Sequence, residues 1–150
     1  MFRYGTASKI HLSGVTPRLR EVYEIAIQWW DITIIDGIRT YAEQIVNIRN
    51  KASRTMKSRH LPQSPDNLSN AVDATVYPVK WDLLEKGFNA VKDVDPKLTV
   101  LRHFHMMGGL KAIAGMKGID LRQGHDWDSD GDFADQNFMD MVHSEIPKDS

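Results

Sequence analysis

A proline-capped amphipathic stretch runs directly into a β-branched run, and that junction constrains the fold most. Thr16-Pro17 reads as an N-cap followed by proline at the first helical position. Leu19, Val22, Tyr23, Ala26, Ile27 and Trp30 then recur at helical spacing, which predicts an amphipathic helix over 17–30. Ile32, Thr33, Ile34 and Ile35 follow as a buried strand ending near Gly37.

Further along, 41–51 reads as a second helix, and 54–70, with Pro62, Pro65 and several Ser and Asn, reads as loop. The segment 71–77 is strand-like and stops at Pro78. Helices are predicted over 81–91 and 103–117, the second weakened by Gly108-Gly109 and capped by Gly118. A short strand is expected over 119–122, an acidic loop over 124–137 and a last strand over 138–146. Helices and strands mix without regular βαβ alternation, so the fold class expected is α+β. No repeat or linker divides the 150 residues, and a single domain over 1–150 is expected.

Composition excludes several classes of function. Cysteine is absent, which removes disulfides, thiolate metal sites and cysteine nucleophiles together. Hydrophobic residues at 41% and charged residues at 26% fit a soluble globular chain. No apolar run approaches the ~20 residues of a membrane span. The first residues lack the apolar core of a secretory signal. The net charge of −1 conceals a gradient: residues 1–60 balance to +5 and residues 120–150 to −7. The basic half is either a solvated face or a face for an anionic polymer. No nucleic-acid-binding signature accompanies it, so no nucleic-acid partner is expected. Serine-nucleophile chemistry finds no G-x-S-x-G.

Four constellations carry chemistry. In Ser58-Arg59-His60…Ala71-Val72-Asp73, a loop histidine and a strand aspartate make either a surface hydrogen bond or two ligands of one metal. In Asp140-Met141-Val142-His143-Ser144-Glu145, the histidine is a candidate third ligand. Asp140 is then a carboxylate able to take the proton of an attacking water. The alternative is a solvated acidic terminus. In Asp126-Trp127-Asp128-Ser129-Asp130-Gly131-Asp132, acids at positions 1, 3 and 5 with glycine at 6 match the start of a calcium loop. Asn137 stands where that motif has its bidentate Glu, and Asp135 is a candidate substitute. The alternative is an exposed acidic turn. In Asp36-Gly37-Ile38-Arg39-Thr40, with Gln44 following, the arginine either closes a turn or donates to a developing oxyanion. His103 and His105 read as helix-start or surface residues, and His11 and His125 have no evident partner. Trp29, Trp30, Trp81 and the methionines at 106, 107 and 116 read as core.

Taken in this order, from Gly37 to Glu145, the constellations resemble the phage endolysins that are L-alanyl-D-glutamate peptidases, within the zinc D-Ala-D-Ala carboxypeptidase and dipeptidase superfamily. The resemblance implies a hedgehog/DD-peptidase-like domain, with a small antiparallel sheet and flanking helices. It implies that His60, Asp73 and His143 hold zinc and that Asp140 is the catalytic carboxylate. Arg39 is implied to polarise the scissile carbonyl, and Ser58 and Gln44 to bind substrate. Asp126, Asp128, Asp130 and the backbone of Asp132 are implied to bind calcium, with Asp135 the candidate substitute for the missing Glu. The partner implied is the bacterial peptidoglycan stem peptide, cut by a monomer. The enzyme is expected to wait in the host cytoplasm for a separate membrane pore. A D-Ala-D-Ala carboxypeptidase and a non-catalytic metal-stabilised binding module are the rival readings.

Two departures stand out. The chain between His60 and Asp73 is longer than in the family, with the extra stretch inside 61–68 and Ser69 in a glycine's place. Lengthening a loop costs little closure entropy and need not move either ligand. Ser144 replaces an aromatic residue after the last ligand, while Glu145 is retained, which leaves the groups supporting His143 open.

Overall fold

The computed structural model of the chain describes residues 1–80 and 94–148. Its elements are α1 (Thr6–Ser13), α2 (Pro17–Ala26), β1 (Ile32–Asp36), α3 (Tyr41–Arg49), β2 (Ala71–Val76), α4 (Val94–Met116), β3 (Arg122–Gln123) and β4 (His143–Glu145). The helix expected over 81–91 lies outside the described residues.

The strands form one antiparallel sheet in the order β1-β2-β4-β3. The α+β expectation therefore holds, helices flanking a small antiparallel sheet. Register places the chemistry at one end of this sheet. Asp73 on β2 lies opposite His143 on β4 and, across a shift in the β1 register, opposite Asp36. Glu145 on β4 lies opposite Arg122 on β3.

The core joins α2, α4 and the sheet. Leu19, Val22 and Tyr23 of α2, Ile32 and Ile34 of β1, Val72, Ala74 and Val76 of β2, and Met106, Met107 and Leu110 of α4 form one buried cluster. Full burial of side chains of this kind contributes about 1.5–3 kcal/mol each against exposure. Three tryptophan and methionine assignments fare differently. Met106 and Met107 are fully buried, but Met116 and Trp29 are exposed and Trp30 packs only partly against the core. Helix α2 stops at Ala26, before the periodic stripe ends, so Trp29 sits in a turn leading to β1 and points to water.

Other boundaries also shift. Helix α4 begins at Val94, well before His103. The short strand is Arg122–Gln123 and the last is only His143–Glu145. Residues 138–142 fold instead as a turn around Gly124. Helix α1 escapes periodicity because it buries only Ser8 and Leu12. Thr16 precedes α2 as expected, but its side chain makes no capping bond. Helix α3 opens with a full capping box: Thr40 Oγ1 accepts from Glu43 N–H, and Glu43 accepts from Thr40 N–H at 2.8 Å. This fixes the helix start immediately after Arg39.

Candidate active site

His60 is delivered by the loop before β2, Asp73 by β2 and His143 by β4. The three converge. His60 Nε2 lies 3.1 Å from Asp73 Oδ1 and 3.2 Å from His143 Nδ1, and His143 Nδ1 lies 2.9 Å from Asp73 Oδ1. The two histidines are almost wholly buried.

The outward ring nitrogens decide the tautomers. His60 Nδ1 is 2.6 Å from the Gly37 carbonyl, which can only accept, so Nδ1 carries the proton. His143 Nε2 is 2.8 Å from a Glu145 carboxylate oxygen and donates to it. Glu145 is held in turn by Arg122 through Nε at 3.0 Å and through Nη2. With both N–H groups turned outward, neutral imidazoles present two lone pairs to a carboxylate oxygen at the centre.

Three acceptors about 3 Å apart repel one another unless a cation or a proton lies between them. Protons answer in the bare protein. Burial disfavours a charged His143, but its bonds to Asp73 and Glu145 outweigh that and raise it to about 10. Burial likewise disfavours a charged Asp73, yet the two imidazoles hold its carboxyl far below the usual range. A metal ion is the other answer. Two imidazoles and one carboxylate, each imidazole fixed by an outer acceptor, form a donor set that fits zinc. Donors at 2.0–2.1 Å from a tetrahedral zinc stand about 3.4 Å apart, close to the separations found.

The cluster lies in an open cleft of about 750 Å³, which Arg39, Ser58, Trp127, Phe138 and Asp140 also line. No hydrogen bond holds the Asp140 carboxylate among the described residues. Burial and the charge on Asp73 push its carboxyl up, against the pull of His143, His60 and Arg39. Its backbone is fixed by Gly124, whose oxygen accepts Asp140 N–H at 2.7 Å. A β-carbon at Gly124 would stand 2.3 Å from the Asp140 carbonyl oxygen, so only glycine permits this approach.

Arg39 is only 12% exposed at its side chain. It donates to Asp36 through Nε at 3.0 Å and Nη2 at 2.5 Å, and to Gln44 through Nη1 at 2.7 Å. Its Nη2 lies 3.8 Å from Asp73. Gln44, expected to hold substrate, is not among the residues that line the cleft. It is fully buried, and its amide donates to Ser53 Oγ and to the Thr55 carbonyl. Gln44 orients Arg39 from behind. Ser58 lines the cleft, with its hydroxyl accepting from His60 N–H at 3.3 Å.

Of the five expected calcium residues, Asp126, Asp128 and Asp130 place carboxylate oxygens within 4.8 Å of one another. Asp132 and Asp135 are not in that cluster. Asp132 was expected to offer its backbone, and its carboxylate accepts from Ala134 N–H; Asp135 accepts from the Gln136 amide. Gln136 also reaches Asp128 and the Asp132 carbonyl, and takes Trp127 N–H, so it ties the loop together. Gly131, at φ +85°, makes the tight bend that the motif requires. The loop presents Trp127 to the cleft, stacked on Phe138 and 5.4 Å from the His143 ring.

The longer connection after His60 leaves the cluster in place. Gln63 N–H donates to the Leu68 carbonyl and closes a small exposed loop, while Leu61, Pro62 and Gln63 join the cleft wall. Ser69 is fully buried, its hydroxyl donating to the Ala71 carbonyl at 2.8 Å. Ser144 is fully buried beside His143 and contributes nothing to its support. That support comes from Glu145, which an alternating strand places on the same face as His143. Arg122 and Gly124 were not legible as site residues, because each acts through a partner distant in sequence; Asp36, three residues before Arg39, stood in the motif without a role of its own.

A buried acceptor cluster beside a carboxylate without a hydrogen bond among the described residues, open to a cleft, is an arrangement able to hold a metal ion and to take a proton from water. Comparison with known proteins narrows the class. The family model described as phage L-alanyl-D-glutamate peptidase matches residues 1–146. The L-alanyl-D-glutamate peptidase of Escherichia phage T5 is 33% identical over 143 residues, covering 90% of this chain and 88% of that protein. The crystal structure of Serratia marcescens L-Ala D-Glu endopeptidase ChiX shares the fold, with a TM-score of 0.64 at 22% identity over 97% of this chain and 90% of that one. The chain belongs to the phage L-alanyl-D-glutamate peptidase family.

Proposed function

We propose that the protein is a zinc-dependent peptidoglycan endopeptidase that hydrolyses the L-Ala–D-Glu bond of the stem peptide and serves lysis of a phage host. The observation that carries this reading is the outward turn of both imidazole N–H groups, which leaves three metal-seeking atoms about 3 Å apart. Family membership supports the choice of bond over the carboxypeptidase reading. The unbonded Asp140 supports catalysis over a binding module.

His60, Asp73 and His143 would hold the zinc. When bound, zinc supplies Lewis acidity toward a carbonyl and toward water. The rest falls to the chain's own residues. Asp140 takes the proton of the attacking water and returns it to the departing D-Glu amine, and a carboxyl shifted up by burial suits a group that must do both. Arg39, fixed by Asp36 and Gln44 before substrate arrives, sets a positive charge beside the developing oxyanion without reorganisation. Ser58 and the Trp127–Phe138 wall line the cleft that receives the peptide.

A second ion belongs to this reading. Asp126, Asp128 and Asp130 would hold calcium, offsetting the mutual repulsion of their carboxylates. Calcium would order the loop that carries Trp127, just ahead of Asp140. Calorimetry with calcium should give one site in the wild type and none in Asp128→Asn; no heat from the wild type would remove calcium from the account.

The zinc assignment is tested by metal content. Wild type and Asp140→Asn should each carry one zinc, with Asp140→Asn inactive. His143→Ala should carry none. Full zinc in His143→Ala, or an undiminished rate in Asp140→Asn, would sink the reading.

A further inference from the structure

The turn from Asp140 to His143 carries both the catalytic carboxylate and a cluster histidine, and nearly all its hydrogen bonds are backbone. Asp140 N–H donates to Gly124 O, and Gly124 N–H to His143 O at 3.0 Å. His143 N–H donates to Asp140 O at 3.2 Å, and Ala74 N–H to Val142 O at 2.9 Å. The Met141 carbonyl is met differently. Its bond comes from His103 Nε2, 2.8 Å away, near the middle of α4.

His103 is fully buried. Because the Met141 carbonyl can only accept, Nε2 carries the proton and Nδ1 has a free lone pair. Thr75 Oγ1, 3.0 Å from Nδ1, donates to it. Thr75 follows Asp73 by two residues on β2, so both lie on one face of that strand. One neutral imidazole therefore ties the strand bearing Asp73 to the turn bearing Asp140 and His143. Burial holds this ring down at about 4, against the pull of the Met141 carbonyl and with His125 adding to the depression, so the neutral form persists at neutral pH.

We propose that His103 is a positioning residue for catalysis, fixing the Asp140–His143 turn against β2 through Met141 and Thr75. The proposal rests on the peptidase reading of the site, and it asks for a donor at one particular atom. A glutamine amide reaches about as far as Nε2, and an asparagine amide only about as far as Nδ1. Glutamine should therefore restore the bond to Met141, whereas asparagine and leucine should not.

The test uses the full chain with zinc supplied and compares His103→Gln, His103→Asn and His103→Leu. Purified peptidoglycan gives kcat and KM; amide hydrogen exchange follows the N–H groups of Gly124 and Ala74. A loosened turn misplaces Asp140, and a misplacement near 1 Å costs about 10²-fold. We expect kcat to fall toward that extent in Asn and Leu with KM little changed, and Gln to stay within about tenfold of wild type. Exchange at Gly124 and Ala74 should quicken in Asn and Leu but not in Gln. The proposal is overturned if Asn and Leu keep the wild-type kcat, if Gln behaves like Leu, or if exchange at the two amides is the same in all variants. The exchange arm needs no turnover. A wild type inactive on peptidoglycan would thus fail the peptidase reading while exchange still decides whether His103 holds the turn.

Discussion

His143 donates its Nε2–H to Glu145, two residues further along the same strand, at 2.8 Å. This bond sets which nitrogen of His143 faces Asp73 and His60. Arg122 holds Glu145 from the neighbouring strand, so the chain Arg122–Glu145–His143 crosses β3 and β4 and ends at the cluster.

Removing the carboxylate should therefore weaken metal binding without removing a ligand. Glu145→Ala is expected to lower zinc affinity by about 10–100-fold, the usual effect of losing an outer partner of a metal-bound histidine. Glu145→Gln keeps an acceptor and should lose less. Competition against a chromogenic chelator measures both, and equal affinity in all three proteins would contradict the role given to Glu145.

Gln44 makes a parallel case on the other side of the cleft. It is buried behind the cleft lining, and its side-chain oxygen fixes Arg39. A hydrogen bond to a charged group contributes about 1.5–3 kcal/mol, so Gln44→Ala should lower kcat by about 10–100-fold. Arg39→Lys should fare no better, since an ammonium cannot serve Asp36 and Gln44 with the same fork. Steady-state kinetics on peptidoglycan would show it; an unchanged kcat in Gln44→Ala would mean that Arg39 needs no orientation.

Gly124→Ala should harm activity more than folding. The added methyl meets the Asp140 carbonyl and its β-carbon, and relief must come by moving the catalytic turn. Overpacking of this kind costs about 1–3 kcal/mol. The expected protein is folded, with a lowered melting temperature and little turnover. A fully active Gly124→Ala would show that the turn tolerates displacement.

His103 also predicts a dependence of stability on pH. Its imidazole titrates at about 4 in the fold against an ordinary value of 6.5. The unfolded chain thus binds more protons between those values. The stability at stake is fully present above pH 6.5 and is lost as pH falls toward 4, with a slope of at most about 1.4 kcal/mol per pH unit. Urea unfolding of wild type and His103→Gln should diverge in slope within that window. Parallel curves from pH 7 to 4 would contradict the buried neutral ring.

His60, Asp73, His143 and Asp140 were legible only together: each short stretch alone has a bland reading, and their order and joint presence along the chain carry the resemblance. What holds them was not legible. His60 is oriented by the Gly37 carbonyl, and a backbone group leaves no mark in a sequence. His103 looked like a surface residue because its partners, Thr75 and Met141, lie 28 and 38 residues away. Gln44 stands in the stretch that carries the resemblance, and its place in the sequence says nothing of depth. Among the elements, 32–35 and 71–77 were recovered since β-branched runs bounded by Gly or Pro are local signals. The start of α4 was not, for Pro96 sits within its first turn, where proline is tolerated. Residues 138–142 read as strand by composition, yet the close approach to Gly124 bends them into a turn.

The central claim is that this cleft cuts the L-Ala–D-Glu bond with the aid of a metal held by His60, Asp73 and His143. Mass spectrometry of purified peptidoglycan, digested with zinc-loaded protein and with the same protein after chelation, tests it most directly. The account predicts fragments bearing a newly freed D-Glu amine from the loaded protein and none after chelation. Loss of a terminal D-Ala alone, or an identical digest from the chelated protein, would contradict it.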